Sequence, residues 1–400
     1  MLHQKIFYVA PDSPWSRWTN SGITRRLVDG LRERDMLEGA ISRHARLPLF
    51  LRTPPGRWMA RLLETGLLRR RDAWSDERRG AVGRALHRLP EGSAALYVFI
   101  YPEIDERLPI RRFLLQDLPA RLAYERQAFG HVGDDPAVVE RAMRLQEEKN
   151  RAVDGTIAFG NFVGEAFEED YGIPRSRVTA IGCGPFLRPS RRPVTHEGRY
   201  RTRRILFVGR DWERKGGPEL LRAFSLVRDA LPDSELVIVG VRDREIAAPG
   251  VRQIPFAVGS ELEELFRSAS VFCVPSRCET WGLVYSEAAH FALPIVGFRE
   301  WAIPDIVIDG VTGLIAPRRT VESLADSLIE ALEDPARLRW MGESALLYAR
   351  ESLDWSVVVD RLQAAMLPES WEGELPLPLG EVPSVLVERV AAAAPRRRAA

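Results

Sequence analysis

Two glutamates, Glu279 and Glu287, bracket the stretch CETWGLVYSEAA at residues 278–289, with seven residues between them and Trp281-Gly282 inside the span. The run SVFCVPS (270–276) before it reads as a buried strand, so residues 277–281 form its C-terminal loop and Gly282 opens the next helix. A glycine there lets the backbone amides of Gly282, Leu283 and Val284 approach a ligand closely, at a helix start that attracts anions. Glu279 projects from the loop, while Glu287, just over one turn into the helix, points its side chain back toward the helix start. A carboxylate accepts paired bonds from vicinal hydroxyls, as acids do on ribose in dinucleotide folds. The pair therefore fits a sugar nucleotide, with Glu279 on the transferred sugar and Glu287 on the ribose. An acid pair that merely complements the helix dipole is the plainer alternative.

A second segment supplies the opposite charge. RILFVGRDWERKGG (204–217) reads as strand, loop and helix start, with Arg210 and Lys215 in the loop and Gly216-Gly217 opening the helix. Two cations beside a helix N-terminus suit a diphosphate: a guanidinium grips two oxygens and an ammonium adds a point charge. A solvated basic loop is the competing reading, since charged loops after strands are common.

Both segments need strands to aim them, and the chain supplies a repeating rhythm. KIFYVAP (5–11), AALYVFIY (94–101), RRFLLQDL (111–118), GTIAF (155–159) and RVTAIG (177–182) read as strands of a first half. Helices are expected from caps at Thr19, Asn20 and Ser21 through Leu31, and over 136–152 and 162–172. The proline- and arginine-rich run at 186–204 reads as a linker. Beyond it come strands at 204–209, 235–240, 270–276 and 294–298, and helices at 217–231, 261–268, 283–292 and 321–333. Apolar strands without alternation argue for parallel sheets covered on both faces. The fold class expected is α/β, two Rossmann-like doubly wound domains facing each other across a cleft. The expected divisions are an acceptor domain over 1–190, a donor domain over 200–350, and a crossover helix and tail over 351–400. In such sheets ligands bind at the carboxyl ends of strands, where both motifs fall.

Composition narrows the class further. Four hundred residues suit two domains, and 45% hydrophobic with 28% charged residues is globular rather than disordered. Net charge is +1, so the whole molecule is no polyanion binder, and a nucleic-acid partner is not expected. Three cysteines, Cys183, Cys273 and Cys278, cannot build a disulfide framework and suit a reducing compartment. With His290 they make no common zinc spacing, so no metal is expected. No apolar run approaches the roughly 18 residues of a membrane span, and a cytoplasmic location is expected.

Together these motifs resemble glycosyltransferase family 4, retaining enzymes of the two-domain GT-B fold. Glu279 and Glu287 around Trp-Gly-Leu-Val look like its glutamate-seven-glutamate signature. FVGRDWERKGGPELLRAF looks like its phosphate-binding segment. VDGTIAFGNFVGEAFEEDYGIPRSRVTAIGCG and WAIPDIVIDGVTGLIAP resemble the end of the first domain and the run after the signature. The resemblance implies a metal-independent, retaining hexosyltransferase with a nucleoside-diphosphate sugar as donor. Arg210 and Lys215 would hold the diphosphate, Glu279 the sugar and Glu287 the ribose, with the amides of Gly282, Leu283 and Val284 assisting. The family's glycine pair after the first strand is reduced here to Ser21-Gly22, leaving Gly22 for donor contact. A family histidine after a central strand is replaced by Gln116-Asp117, and His131 and His290 read as structural. The loop at Arg299-Glu300-Trp301 is bulkier than the small residues common there. LDWSVVVDRL (353–362) looks like the helix that crosses back to the first domain. A catalytically silent sugar-nucleotide binder and a hydrolase or epimerase of the same fold are the alternatives.

The acceptor, glycan, lipid-linked or small, is not named by these residues. Residues 43–88 hold twelve arginines against four acids, and RWMARLLETGLLRRR (57–71) sets Trp58, Met59, Leu62, Leu63 and Leu67 on one stripe. That stripe fits peripheral contact with anionic lipid at the inner membrane face, or equally an amphipathic helix packed on the first sheet. The base of the donor is expected to meet backbone groups around Ile254 to Phe256, and a last short helix is expected over 384–394.

Overall fold

The computed structural model describes residues 4–10, 22–42, 83–98, 108–126, 136–193, 195–371 and 374–393. Among them, twelve strands form two six-stranded sheets, and every pairing recorded between them is parallel. The first sheet holds β1 (Ile6–Ala10), β2 (Leu37–Ser42), β3 (Ala94–Val98), β4 (Arg111–Leu115), β5 (Gly155–Ala158) and β6 (Val178–Ala180), in the order β2-β1-β3-β4-β5-β6. The second holds β7 (Arg204–Val208), β8 (Glu235–Val239), β9 (Val251–Ile254), β10 (Val271–Cys273), β11 (Ile295–Phe298) and β12 (Gly313–Ala316), in the order β12-β11-β10-β7-β8-β9.

The α/β reading of two Rossmann-like sheets is what the structure shows. Its cause is visible in burial: every residue of β1, β3, β10, β11 and β12 is buried, as strands covered on both faces require. The covering helices are α1 (Ile23–Glu33), α2 (Pro136–Arg151), α3 (Phe162–Tyr171), α4 (Gly217–Ala230), α5 (Ser260–Ser268), α6 (Leu283–His290), α7 (Val321–Glu333), α8 (Pro335–Ser352), α9 (Trp355–Met366) and α10 (Ser384–Ala393), with shorter turns between them. None of the described helices is long and apolar enough to cross a membrane.

The chain divides into two compact units. The first takes Met1–Gln116, Glu147–Ile157 and Leu362–Glu374; the second takes Asp117–Gln146, Ala158–Arg361 and Leu375–Ala400. In the first, Phe7, Val9, Tyr97 and Leu114 form the core with Leu86 and Leu108. In the second, Phe266 stacks on Phe291 at 5.1 Å and on Phe272 at 5.9 Å, while Phe272 meets Tyr285 edge-on. Each such buried ring contributes about 1.5–3 kcal/mol by leaving water. Arg199 staples the same core: its guanidinium donates to the carbonyls of Ala269, Phe291 and Phe266 at 2.7–2.9 Å.

β2, β9, β12 and α8 are missing from the sequence reading, and α6 and α1 differ from it at their ends. β2 and β9 are edge strands whose sequences, LEGAIS and VRQI, carry polar or glycine residues that lower strand propensity. β12, GLIA, is too short and small for its pattern to register. α8 was legible: Asp334 caps it through the amides of Ala336 and Arg337, and Pro335 takes its first position. α6 stops at His290, two residues earlier than expected, because Ala292 turns at φ 56°. α1 starts from Gly22 at φ 86°, whereas the caps expected at Thr19, Asn20 and Ser21 lie outside the described residues. So does the stripe at 57–71.

Candidate active site

The strand order of the second sheet reverses between β7 and β10, which lie side by side with Val271 opposite Ile205. Loops leaving two adjacent strands on either side of such a reversal diverge and leave a crevice at their carboxyl ends. The loops after β7 and β10 carry the two motifs.

After β7 the chain makes a compact turn. Asp211 accepts from the amides of Arg214 and Lys215, and Trp212 is buried edge-on against Phe207. Gly216 then starts α4 at φ 72°, and a Cβ there would lie 2.0 Å from the Pro275 carbonyl oxygen. Only glycine allows the two loops to meet this closely. They are also bonded to each other: the Arg277 amide donates to the Arg214 carbonyl at 2.8 Å, and Arg214 Nη1 donates to the Cys278 carbonyl at 2.8 Å.

This contact brings two of the four predicted charges, Lys215 and Glu279, together. Lys215, buried, pairs through Nζ with Oε2 of the buried Glu279. Arg214 Nη1 stands 3.8 Å from the same oxygen, and Ser276 Oγ donates to it at 3.5 Å. Gly282 follows at φ 78° with α6 beginning at Leu283, as expected, and a Cβ on Gly282 would strike the Tyr285 ring and the Glu279 side chain. The first amides of α6, at Leu283 and Val284, have no intrahelical acceptor. A desolvated cation, a carboxylate and two helix starts can hold a diphosphate on one side and sugar hydroxyls on the other.

Arg210 lies exposed on the same loop and makes no ion pair among the described residues. Glu287 lies farther along α6, where its Oε1 accepts from the Leu187 amide at 3.1 Å. Burial pushes its carboxyl up to about 7, against the lowering pull of the Leu187 and Phe186 amides. Gly22 caps α1 in the first unit, after β1. His290 is buried with Nδ1 2.8 Å from the Ser286 carbonyl, a structural contact.

Sequence reasoning passed over Arg214, which differs from Arg210 only in being folded against the β10 loop. It also left Asp117 without a role. The Asp117 carboxyl is half-buried, and burial raises it to about 6 against the lowering influence of the Thr280 hydroxyl and its own amide. The bulky loop after β11 is explained by packing: Trp301 Nε1 donates to the Arg277 carbonyl at 2.9 Å and its ring meets Phe162 edge-on. All three cysteines are buried, and none forms a disulfide. Among the described residues no group of three histidine, cysteine or acidic side chains could hold a metal ion.

Residues 202–334 match the family model described as Glycosyl transferases group 1. A D-inositol 3-phosphate glycosyltransferase of Arthrobacter sp. (strain FB24) is 33% identical over 160 residues, 36% of this chain and 38% of that protein. The chain spans less than half the length of the curated relatives it matches. In three dimensions the chain is similar to sucrose-phosphate synthase of Thermosynechococcus elongatus, with a TM-score of 0.64 and 16% identity over 92% of this chain and 98% of that one. It is similar also to Anabaena HepE in complex with UDP, with a TM-score of 0.60 and 13% identity over 92% and 100%. These likenesses show the fold class, two Rossmann-like sheets of the GT-B type, and the group 1 glycosyl transferase match covers the very span that holds Arg210, Lys215, Glu279 and Glu287.

Proposed function

We propose that the protein is a metal-independent, retaining glycosyltransferase that moves a sugar from a nucleoside diphosphate to a glycan, lipid-linked or small-molecule acceptor. The observation that carries the reading is the buried Lys215–Glu279 pair, set at the reversal of strand order beside two helix starts. Without ligand, each member is the other's counter-ion. A bound donor replaces that contact on both sides: its diphosphate takes the Lys215 ammonium, and its sugar hydroxyls take the Glu279 carboxylate.

As the bond from the anomeric carbon to the diphosphate breaks, negative charge grows on the leaving oxygens. Lys215, Arg210 and the amides of Gly282, Leu283 and Val284 stabilise that charge from fixed positions, the term that usually contributes most to catalysis. The two side chains supply positive charge that a divalent ion would otherwise bring. Glu279 orients the sugar, and Glu287 receives the ribose hydroxyls.

HepE, a neighbour in fold, is in complex with UDP, so UDP-sugars are the first donors to test, followed by GDP-, ADP- and dTDP-sugars. The expected result is nucleotide binding and release of nucleoside diphosphate with a new glycoside when an acceptor is supplied, in the presence of a chelator. Lys215→Ala and Glu279→Ala should each cut turnover by about 100-fold or more. Full activity in both variants would overturn the assignment, and nucleotide binding without turnover on any acceptor would favour a silent binder.

A further inference from the structure

Among the described residues, every polar contact of the Glu279 carboxylate is made by one of its two oxygens, Oε2. That oxygen faces Lys215 Nζ, Arg214 Nη1 at 3.8 Å and Ser276 Oγ at 3.5 Å. Arg214 is fixed in this place from several sides. Asp211 accepts from its amide and from its Nε, each at 3.1 Å, and the Cys278 carbonyl accepts from its Nη1 at 2.8 Å. The Arg214 carbonyl accepts from the Arg277 amide at 2.8 Å, whereas the Arg277 guanidinium is committed to Glu219 at 2.6 Å. A movement of about 1 Å brings Arg214 to the roughly 2.8 Å of a charge-assisted bond with Oε2.

Ser276 is poised in a different way. Tyr285 spends its hydroxyl proton on the Val274 carbonyl at 2.5 Å, so in the 3.2 Å contact between Ser276 and Tyr285 the serine is the donor. A serine hydroxyl has a single proton. That proton has two acceptors, the Tyr285 oxygen and Glu279 Oε2, and rotation about one bond moves it from the first to the second. Ser276, Tyr285 and Glu279 are all buried, which keeps the choice between these partners.

Resting on the glycosyl-transfer reading, which gives Lys215 to the donor diphosphate, we propose that Arg214 and Ser276 are positioning residues that take over Glu279 when Lys215 leaves it. A buried carboxylate stripped of its cation is strongly destabilised, and donor binding would meet that cost unless a second cation already stood at the same oxygen. In the exchange the Lys215 ammonium turns to the phosphate oxygens, Arg214 closes on Oε2, and the Ser276 hydroxyl turns from Tyr285 to Oε2. No covalent bond changes. The carboxylate is then held through Oε2, and Oε1 receives the sugar hydroxyls.

The test is a double-mutant cycle on nucleotide binding, measured by calorimetry on the whole chain with UDP, GDP, ADP and dTDP. Arg214→Gln removes the charge and keeps a donor for the Cys278 carbonyl. It should weaken the best-bound nucleoside diphosphate about tenfold when Glu279 is present, and less than about twofold in the Glu279→Gln background, where no charge needs a substitute. Ser276→Ala should follow the same pattern at about threefold. Arg214→Lys retains the charge and should stay within about threefold of wild type. Equal losses in both backgrounds would mean that Arg214 meets the phosphates itself or only props up the loop, and no loss in either would mean that Lys215 never leaves Glu279; both overturn the exchange. A loss in Arg214→Lys as large as in Arg214→Gln overturns charge as the cause, and an unchanged Ser276→Ala removes the serine from the exchange. All of these outcomes leave a chain that binds nucleotide. A wild-type chain that binds none of the four overturns the donor site on which the glycosyl-transfer reading stands.

Discussion

Replacing Lys215 by methionine isolates the interaction on which the candidate site is built. The side chains of Lys215 and Glu279 are only 11% and 10% exposed, so removing the ammonium leaves a desolvated carboxylate. Breaking one side of a buried pair typically costs about 3–5 kcal/mol. Here Arg214, 3.8 Å from the same oxygen and 22% exposed, can move in as a partial substitute, which favours the low end, about 3 kcal/mol. For a unit of this size that is a fall in Tm of about 6–12 °C. The double variant Lys215→Met/Glu279→Gln should recover to within about 1 kcal/mol of wild type, because two neutral groups of similar volume need no counter-charge. Urea denaturation of the wild type, both single variants and the double variant closes the cycle. If Lys215→Met alone is as stable as wild type, the pair is hydrated in solution and the physical basis of the site is wrong.

Glu287 gives a pH signature. Its folded pKa is raised from 4.5 to about 7, so the folded chain holds the proton more tightly than the unfolded chain. This contribution is full below about 4.5 and is lost as pH rises through about 7, an effect of about 3 kcal/mol. Asp117 and Asp305, both raised to about 6, act in the same direction, so the readout is the difference between wild type and Glu287→Gln. A difference that does not change between pH 5 and 8 would refute the burial of that carboxyl. Glycine positions give a third test, read by denaturation. Gly310→Ala meets open space at φ +76° and should cost only the left-handed strain of about 1–2 kcal/mol, whereas Gly216→Ala also meets the Pro275 carbonyl oxygen at 2.0 Å and should cost clearly more. Equal losses at the two sites would mean that the loops do not touch as described.

The sequence by itself determined the fold class and the ends of the elements that matter. Strands such as IFYVA and ELVIV are apolar without alternation, which only a sheet covered on both faces accommodates, and Gly216 and Gly282 mark the helix starts directly. The edge strands β2 and β9 escaped because most of their residues are partly in water, where the pattern that betrays a buried strand fades. The residue types at the candidate site were legible for the same local reason: cations and acids just past strand ends. What only the tertiary structure decided is which of them meet. Lys215 and Arg214 turn inward while Arg210 stays in solvent, because Gly216 seats one loop on the carbonyl of the next. Glu287 is bonded to the Leu187 amide across 100 positions of chain. Contacts between residues so far apart are set by strand order and side-chain packing, which no local pattern encodes.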